Sequence, residues 1–416
     1  MNSQNSSASI TADGMTQASG SARRKPSRAM RLMLSMLDRI EGGSLMLRLP
    51  DGSARLVGHG EQCATLTLHD EAVFGRILAS GSIGFAEAFM AGQWEADRLP
   101  ALLSLLARNR PVLERAIHGN AWRLAGHWLW HRLRANTRRG SKKNIEAHYD
   151  LGNDFYRLWL DDTMSYSSAM WSEPEASFES AQLEKYRHAL RSAGVQPGQH
   201  LLEIGCGWGG LAEVACREFG ARVTGVTLSH EQLAWARDRA ERNGFADRAS
   251  FMLCDYRDLR GQYDHIVSIE MIEAVGEAFW PSYFSQLQAL LKPGGRAVIQ
   301  AITIDDALFE HYRKDVDFIQ RYIFPGGMLP SPSAFSDQAD RAGLRIVASK
   351  AFGLDYARTL SEWLTRFDAK ADAVRAQGFD ETFMRMWRFY LAYCEAGFNA
   401  RNTDVWQYVL SARGTP

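Results

Sequence analysis

The amino-acid sequence predicts an α/β protein in which a doubly wound, Rossmann-like parallel sheet follows a small α+β domain. Three observations support this prediction. From residue 146 onward, strand-like runs alternate with helix-like stretches, as in a parallel sheet with helices on both faces. The apolar run 201–204 ends in a glycine-rich turn that leads into a helix-like stretch. Residues 29–118 instead combine hairpin-like strands with helices, so a separate N-terminal domain is expected.

Composition and charge exclude several classes of protein. The chain has 416 residues, of which 46% are hydrophobic, enough for one large and one small globular domain. Its 48 basic residues balance 48 acidic ones, so no net charge favours nucleic acid as a partner. The five cysteines lack Cys-x-x-Cys and metal-ligand spacings, which indicates reduced thiols and no metal site. No apolar run approaches the length of about 18 residues that spans a membrane. The N-terminus lacks an apolar signal core, so we expect no export and a cytoplasmic protein.

The N-terminal part divides into a tail and a domain. Residues 1–28 are rich in Ser, Ala and Asn and predict a disordered tail. Within 29–118, Asp51-Gly52 lies between two strand-like runs and predicts a hairpin. The expected strands are 45–49, 54–57 and 64–68, and the expected helices are 30–40, 71–79, 85–91 and 99–107. This domain carries no catalytic constellation, so it is expected to bind or dock a partner.

Residues 119–145 have a different character from the segments on either side. Between 122 and 143 there are seven Arg or Lys residues and no acid, interleaved with Trp122, Trp128 and Trp130. Basic residues mixed with Trp and Leu suit the surface of an anionic bilayer. A linker helix whose tryptophans pack between domains accounts for the pattern equally well. Both interpretations stay open.

Residues 146–416 predict the main α/β domain. Its strands are expected at 200–204, 221–228, 249–254, 263–269 and 296–302, with helices at 211–219, 230–242 and 279–291. Runs near 344–350 and 405–411 complete the sheet. A ligand should lie over the carboxyl ends of the parallel strands. The aromatic-rich insertion 303–340 predicts a lid or an apolar substrate channel.

The glycine-rich turn is the first candidate binding site. Gly205, Gly207 and Gly209 let the backbone approach a ligand, and the following helix begins with free N–H groups. Alone, this pattern indicates a tight turn as readily as a nucleotide site. Glu203, at the strand's end, can meet an amino-acid ammonium. Dinucleotide folds place an acid after the second strand, and 223–229 contains none, so S-adenosylmethionine is favoured over NAD.

Four motifs resemble the cyclopropane-fatty-acid synthase family. They are His-Tyr-Asp-Leu-Gly-Asn-Asp-Phe-Tyr at 148–156, Met-Ser-Tyr-Ser-Ser-Ala-Met-Trp at 164–171, Leu-Glu-Ile-Gly-Cys-Gly-Trp-Gly-Gly at 202–210 and Tyr-Ile-Phe-Pro-Gly-Gly at 322–327. The resemblance covers roughly residues 70–412. It implies a class I methyltransferase fold and an S-adenosylmethionine enzyme acting on cis double bonds of phospholipid acyl chains. It also implies a lipid-docking N-terminal domain, a peripheral location on the inner membrane face, and a homodimer.

The resemblance assigns the cofactor site residue by residue. Tyr166 and Ser167 would reach the methionine end, the glycines would line the backbone cradle, Thr227 and Gln232 would serve the ribose and adenine side, and Asp255 and Tyr256 would lie near adenine. Two of these residues also suit a purely structural role. Thr227 could cap the helix that begins near residue 229, since hydroxyl residues favour that position. Asp255 could be an ordinary acid in a surface loop.

The resemblance also implies a base for the reaction. In cyclopropane synthases, a bound bicarbonate takes the proton and is held by a Cys, a Glu, a His, an Ile backbone group and a Tyr. Here Glu273, Ile302 and Tyr356 match that set, whereas Ser168 replaces the Cys and Gln300 replaces the His. Gln removes the one group that titrates near neutral pH, so bicarbonate binding is expected to be weaker.

Two further carboxylates could compensate for a weakened bicarbonate site. Glu270 follows the fourth strand, and Glu146 lies two residues before His148. A carboxylate in an apolar pocket has a raised pKa and can act as a base. The product is then either a cyclopropane or, through loss of another proton, a methyl-branched or methylene chain. Glu270 as a structural helix cap and the chain as a non-catalytic lipid-binding relative remain alternatives.

Overall fold

The computed structural model describes residues 27–117 and 151–413, and its first part is a four-stranded sheet with helices. Its elements are α1 (Arg28–Leu37), β1 (Gly43–Arg48), β2 (Ala54–His59), β3 (Gln62–Leu68), α2 (Ala72–Met90), β4 (Trp94–Ala96), α3 (Leu99–Arg108) and α4 (Arg110–Ile117). The sheet order is β2-β1-β3-β4, with β1 antiparallel to β2 and parallel to β3. The predicted hairpin is confirmed, with the Leu49 N–H donating to the Ser53 carbonyl at 2.8 Å. Strand β4 was not predicted. We call this part the N-terminal unit.

Helix α2 differs from the two helices predicted for its range. It is a single element broken at Gly81, whose φ of 56° and ψ of −135° lie outside the helical region. By length and composition α2 could cross a membrane, a possibility that the search for long apolar runs did not indicate. Eight of its residues, including Val73, Phe74 and Ile77, are buried within the protein. We therefore interpret α2 as a kinked core helix.

The second part is built on a seven-stranded sheet. Its strands are β5 (His200–Ile204), β6 (Arg222–Thr227), β7 (Ala249–Leu253), β8 (Tyr263–Ile269), β9 (Leu291–Ile304), β10 (Leu344–Ala351) and β11 (Thr403–Ala412). The order is β10-β11-β9-β8-β5-β6-β7. The five strands from β9 to β7 are parallel, whereas β11 is antiparallel to β9 and β10. The doubly wound sheet is confirmed, and its strand order reverses at β5, where β6 and β8 flank it. Ligands of such sheets bind at this point, beyond the carboxyl ends.

Helices cover both faces of this sheet. They are α5 (Asn153–Arg157), α6 (Phe178–Ala193), α7 (Gly210–Glu218), α8 (His230–Arg242), α9 (Trp280–Leu290), α10 (Asp306–Tyr312), α11 (Pro332–Arg341), α12 (Gly353–Ala369), α13 (Ala371–Ala376) and α14 (Glu381–Asn399). The insertion 303–340 contains α10, a π-helical turn at Ile319–Ile323 and most of α11.

One hydrophobic core joins the two parts. Buried side chains of α1, α2, α3 and the small sheet belong to the same cluster as those of α12 and α14. Polar contacts reinforce this junction: Arg385 pairs with Glu95 at 2.7 Å, and the Tyr322 hydroxyl donates to Glu87 at 2.6 Å. The proposed linker 119–145 and the tail up to residue 26 lie outside the described residues, so the division into domains stays a prediction.

Candidate active site

The glycine-rich turn lies where the strand order reverses. Glu203, near the carboxyl end of β5, is buried and only 3% exposed. Its Oε2 has no hydrogen-bond partner among the described residues, and burial raises its pKa well above the usual range. A Cβ added at Gly207, whose φ is +50°, would meet no atom within 4 Å. The buried Glu203 carboxyl group can accept a hydrogen bond from the ammonium of S-adenosylmethionine. The open space at Gly207 lets the ligand approach the main chain of the turn.

Thr227, the last residue of β6, contacts Gln232 in the first turn of α8. The Thr227 hydroxyl donates to Gln232 Oε1 at 2.8 Å and accepts from the Ser229 N–H at 3.1 Å. The N-cap of α8 is Ser229, which accepts from the Gln232 N–H at 3.2 Å. Thr227 therefore supports the cap rather than forming it. Its contact with the ribose stays a prediction.

Asp255 and Tyr256 make contacts within the protein. The Asp255 carboxylate accepts from the Arg257 side chain at 2.8 Å and from the Arg257 N–H at 3.0 Å, which caps a short 3₁₀ turn. The Tyr256 ring packs edge-on against Tyr283, with centroids 5.5 Å apart. These contacts account for the Asp255 carboxylate structurally, and the role of both side chains at adenine stays a prediction.

Tyr166 and Ser167 contact different parts of the protein. The Tyr166 hydroxyl lies 2.8 Å from that of Tyr390, and its ring contacts Trp159 and Trp363. Ser167 accepts a hydrogen bond from the Nζ of Lys185, a fully buried lysine whose pKa burial lowers to about 7. Sequence reasoning missed Lys185, because a lysine in an amphipathic helix ordinarily faces solvent. The nearby carboxylates of Glu270 and Asp161 favour its charged form.

Glu270 is the centre of the candidate catalytic cluster. Its Oε1 accepts from the Ser168 N–H at 2.9 Å and from Gln300 Nε2 at 2.7 Å, and its Oε2 accepts from the Tyr356 hydroxyl at 2.6 Å. These donors belong to three of the positions that the family resemblance assigns to bicarbonate. Glu270 also has a left-handed backbone, with φ of 50°, which is costly for a residue with a side chain. Burial raises the pKa of Glu270, while Lys185 and the three donors oppose that rise.

Glu273 forms the second half of the cluster. It lies in the 3₁₀ turn Ile272–Ala274, and its Oε1 accepts from the Ile302 N–H at 2.5 Å. Burial, together with the charge of Glu270, raises the pKa of Glu273 to about 8. The two carboxyl groups thus have unequal environments: Lys185 and the three donors favour the charged form of Glu270, whereas Glu273 holds a proton at neutral pH. Glu270 is therefore the better placed of the two to accept a proton.

Replacing Glu273 by Gln should change how stability depends on pH. Between about pH 4.5 and pH 8, native Glu273 keeps a proton that the unfolded chain has released. Its contribution is complete below that window and is lost as pH rises through it, by at most about 1.4 kcal/mol per pH unit. Denaturant unfolding across this window should show the free energy of unfolding of the native protein falling relative to Glu273→Gln. A difference that is constant with pH would contradict the assignment.

These groups face a large, mainly apolar cavity. It has a volume of about 710 Å³ and is lined by Tyr166, Glu270, Glu273 and Tyr356, with Tyr312 and Phe324 from the insertion. Its volume lies within the range of about 300–1,000 Å³ that is usual for pockets binding organic ligands. Glu146 and His148 lie outside the described residues, so their placement is untested. Within 27–117 and 151–413, no group of three His, Cys, Asp or Glu residues could hold a metal ion.

Comparisons of the sequence with known proteins identify its family. A family model described as mycolic acid cyclopropane synthetase matches residues 136–408. The chain belongs to this family. It is 40% identical over 431 residues to the tuberculostearic acid methyltransferase UfaA1 of Mycobacterium tuberculosis, a match covering 100% of this chain and 99% of that protein. It is 35% identical over 359 residues to the cyclopropane-fatty-acyl-phospholipid synthase of Escherichia coli strain K12, covering 85% of this chain and 89% of that enzyme.

Solved structures of the family share the fold. The cyclopropane synthase MmaA2 from Mycobacterium tuberculosis has a TM-score of 0.61 at 29% identity, covering 65% of this chain and 97% of that chain. The mycolic acid cyclopropane synthase CmaA1, complexed with SAH and CTAB, has a TM-score of 0.61 at 30% identity with the same coverage. The chain is therefore an S-adenosylmethionine-dependent methyltransferase with the class I fold, and the resemblance read from its motifs is confirmed. The alternative of a non-catalytic relative finds no support in these matches.

Proposed function

We propose that the enzyme transfers a methyl group to the double bond of an unsaturated lipid acyl chain and releases a branched, still unsaturated chain. The observation that carries this proposal is the position of Glu270. Its carboxylate accepts hydrogen bonds at three positions of the bicarbonate set, Ser168, Gln300 and Tyr356. A side chain thereby takes the place of a diffusible base. Bicarbonate, which the resemblance suggested, is then not needed.

The proposed reaction balances without a further reagent. S-adenosylmethionine supplies an electrophilic methyl group on its sulfonium. The alkene forms a bond to that carbon as the carbon–sulfur bond breaks, which leaves a cation on the neighbouring acyl carbon. Glu270 then accepts a proton from the carbon that carries the new methyl, or from the methyl after a hydride shift, and a double bond forms again. The aromatic wall, including Tyr166 and Phe324, excludes water and stabilises the cation.

The position of the base favours a branch over a ring. Glu270 reaches Ser168, Gln300 and Tyr356, whereas the Ile302 N–H donates to Glu273 instead. Glu270 therefore lies to one side of the five groups assigned to bicarbonate rather than at their centre. Its backbone, directly after β8, holds it there. The full-length match to a protein named as a tuberculostearic acid methyltransferase supports methyl transfer rather than ring formation. Cyclopropane formation is the competing function, favoured by the match to the Escherichia coli synthase.

Product analysis tests the proposal. The purified enzyme should be given S-adenosylmethionine with a methyl-deuterated label and vesicles of an unsaturated phospholipid in bicarbonate-free buffer. Mass spectrometry of the released fatty acids should show one added carbon. Fragmentation after derivatisation should show a branch and a retained double bond, because a cyclopropane product has the same elemental composition. A cyclopropane product, or turnover that depends on bicarbonate, would overturn the proposal.

The substrate's form and the enzyme's location belong to the same proposal. We propose a phospholipid acyl chain as the substrate, on the strength of the match to a phospholipid synthase. Residence at the inner membrane surface and a homodimer are further predictions, which sedimentation of the enzyme with anionic vesicles and light scattering can test.

A further inference from the structure

The cavity at the catalytic cluster continues into the N-terminal unit. The space bordered by Glu270, Glu273 and Tyr356 is also bordered by side chains of the small sheet and of α2. These side chains are buried and aliphatic: Leu45, Leu47, Leu66, Leu68, Val73 and Ile77. The N-terminal unit is therefore hollow where a small domain ordinarily has its core, and the hollow is continuous with the reaction site.

A hollow of this kind is unusual in a protein interior. Cores are close-packed, and voids larger than a water molecule are few. Among the described residues, β1, β3 and α2 contribute no charged side chain to the lining, and their polar contribution is Ser80 and Ser82 at the break in α2. Apart from Glu270 and Glu273, the Asp, Glu, Lys and Arg residues of the lining are Arg110, Asp315 and Asp317, which belong to α4 and the insertion. Water gains few hydrogen bonds beside the aliphatic wall, whereas an apolar ligand fills such a space favourably.

We propose that the N-terminal unit binds a segment of the substrate's acyl chain inside its own core. The chain completes the packing between the small sheet and α2 while its double bond lies beside Glu270. This inference rests on the proposed function for the identity of the ligand, but the binding does not depend on the reaction. The N-terminal unit precedes residue 136, where the match to the family model begins. Because its side chains line the space beyond Glu270, the N-terminal unit determines in this arrangement how much chain fits beyond the double bond.

One consequence is selectivity for chain length. A short chain can bind beside the catalytic cluster alone, whereas a long chain must also enter the space beside β3. Leu66 lines that space, while its neighbour Thr67 does not. A larger side chain at position 66 fills the hollow, and the same side chain at position 67 serves as the matched control on the same strand.

Binding of saturated fatty acids, which cannot react, tests the proposal. Titration calorimetry should show stearic acid binding more tightly than octanoic acid to the full-length enzyme. Leu66→Trp should weaken stearic acid binding by about tenfold or more, the effect of excluding roughly two methylenes, and leave octanoic acid and S-adenosylmethionine binding unchanged. Thr67→Trp should resemble the unsubstituted protein. Equal stearic acid affinity in Leu66→Trp and the unsubstituted enzyme, or an equal loss in Thr67→Trp, would overturn the proposal.

A second variant protects the test against misfolding. Leu106 of α3 lines the same cavity, and Leu106→Trp should reproduce the length-dependent loss if circular dichroism shows that Leu66→Trp is unfolded. Loss of binding for both chain lengths in a folded Leu106→Trp variant would count against the proposal. The proposed function is judged separately by the product. If the enzyme makes cyclopropanes, but Leu66→Trp weakens the binding of stearic acid alone, this inference holds and the branched product is rejected.

Discussion

Replacing Glu270 by Gly should abolish methyl transfer in bicarbonate-free buffer, and added bicarbonate should restore it. The loss should be about 10²–10⁴-fold, the usual contribution of a positioned general base. Removing the carboxylate frees the Ser168 N–H, Gln300 and the Tyr356 hydroxyl, which now donate to Glu270. A diffusible carboxylate-like ion can then occupy the same donors. Initial rates with and without bicarbonate measure both effects.

Backbone geometry makes glycine the right substitution. Glu270 has a φ of 50°, a conformation that glycine adopts without cost, so the variant should fold at least as well as the native enzyme. Glu270→Gln is the matched control, because it keeps the side chain among the donors but cannot accept the proton. It should be inactive with or without bicarbonate. Rescue of both variants, or of neither, would contradict the role given to Glu270.

The products of the rescued variant carry additional information. A diffusible base is free to occupy the whole set, including the position near Ile302, so the rescued enzyme should shift towards cyclopropane. Adding Gln300→His to Glu270→Gly restores the family's histidine, which titrates near neutral pH, and should enlarge that shift.

Replacing Gly207 by Asn should abolish S-adenosylmethionine binding without unfolding the enzyme. Asn tolerates a left-handed backbone better than most residues, so the φ of +50° should be maintained at small cost. Its side chain would enter the open space at the turn, where no protein atom lies within 4 Å of a Cβ. The affinity should fall by at least about a hundredfold, equivalent to about 2.7 kcal/mol. Calorimetric titration with S-adenosylmethionine provides the measurement.

Gly194 supplies the control for that substitution. It ends α6 with a φ of 81° and also has no atom within 4 Å of an added Cβ. Gly194→Asn therefore imposes a similar backbone change away from the glycine-rich turn and should leave the affinity unchanged. Equal affinities in the two variants would remove Gly207 from the cofactor site.

Local sequence patterns predicted much of the fold. Apolar runs bounded by glycine or polar residues located the strands, and helix 230–242 agrees with α8 at both ends. Ser229 and the hairpin at Gly52 show why: caps and turns depend on residues adjacent in the chain. Strand β4, only three residues long, lacks enough alternation to be recognised, and the break at Gly81 was taken as a gap between two helices.

The sequence predicted which residues form the catalytic cluster but not how their side chains contact one another. Motif resemblance identified Gln300 and Tyr356, and the position of Glu270 after the fourth strand made it a candidate base. No local pattern shows that these side chains meet across the sheet. The left-handed backbone of Glu270 depends on the turn after β8, and a glutamate there predicts nothing of the kind. Lys185 was missed for a similar reason, since only the tertiary structure shows that its helical face is buried.

The core that joins the N-terminal unit to α12 and α14 limits how the protein can be divided. Cutting the chain between the two parts would expose the apolar faces of α3 and α14 to water, so neither fragment should be expected to behave as an independent module. A catalytic part expressed alone would need other apolar side chains to cover the exposed face of α14. Because the two parts share this core, we expect them to unfold together in a single transition.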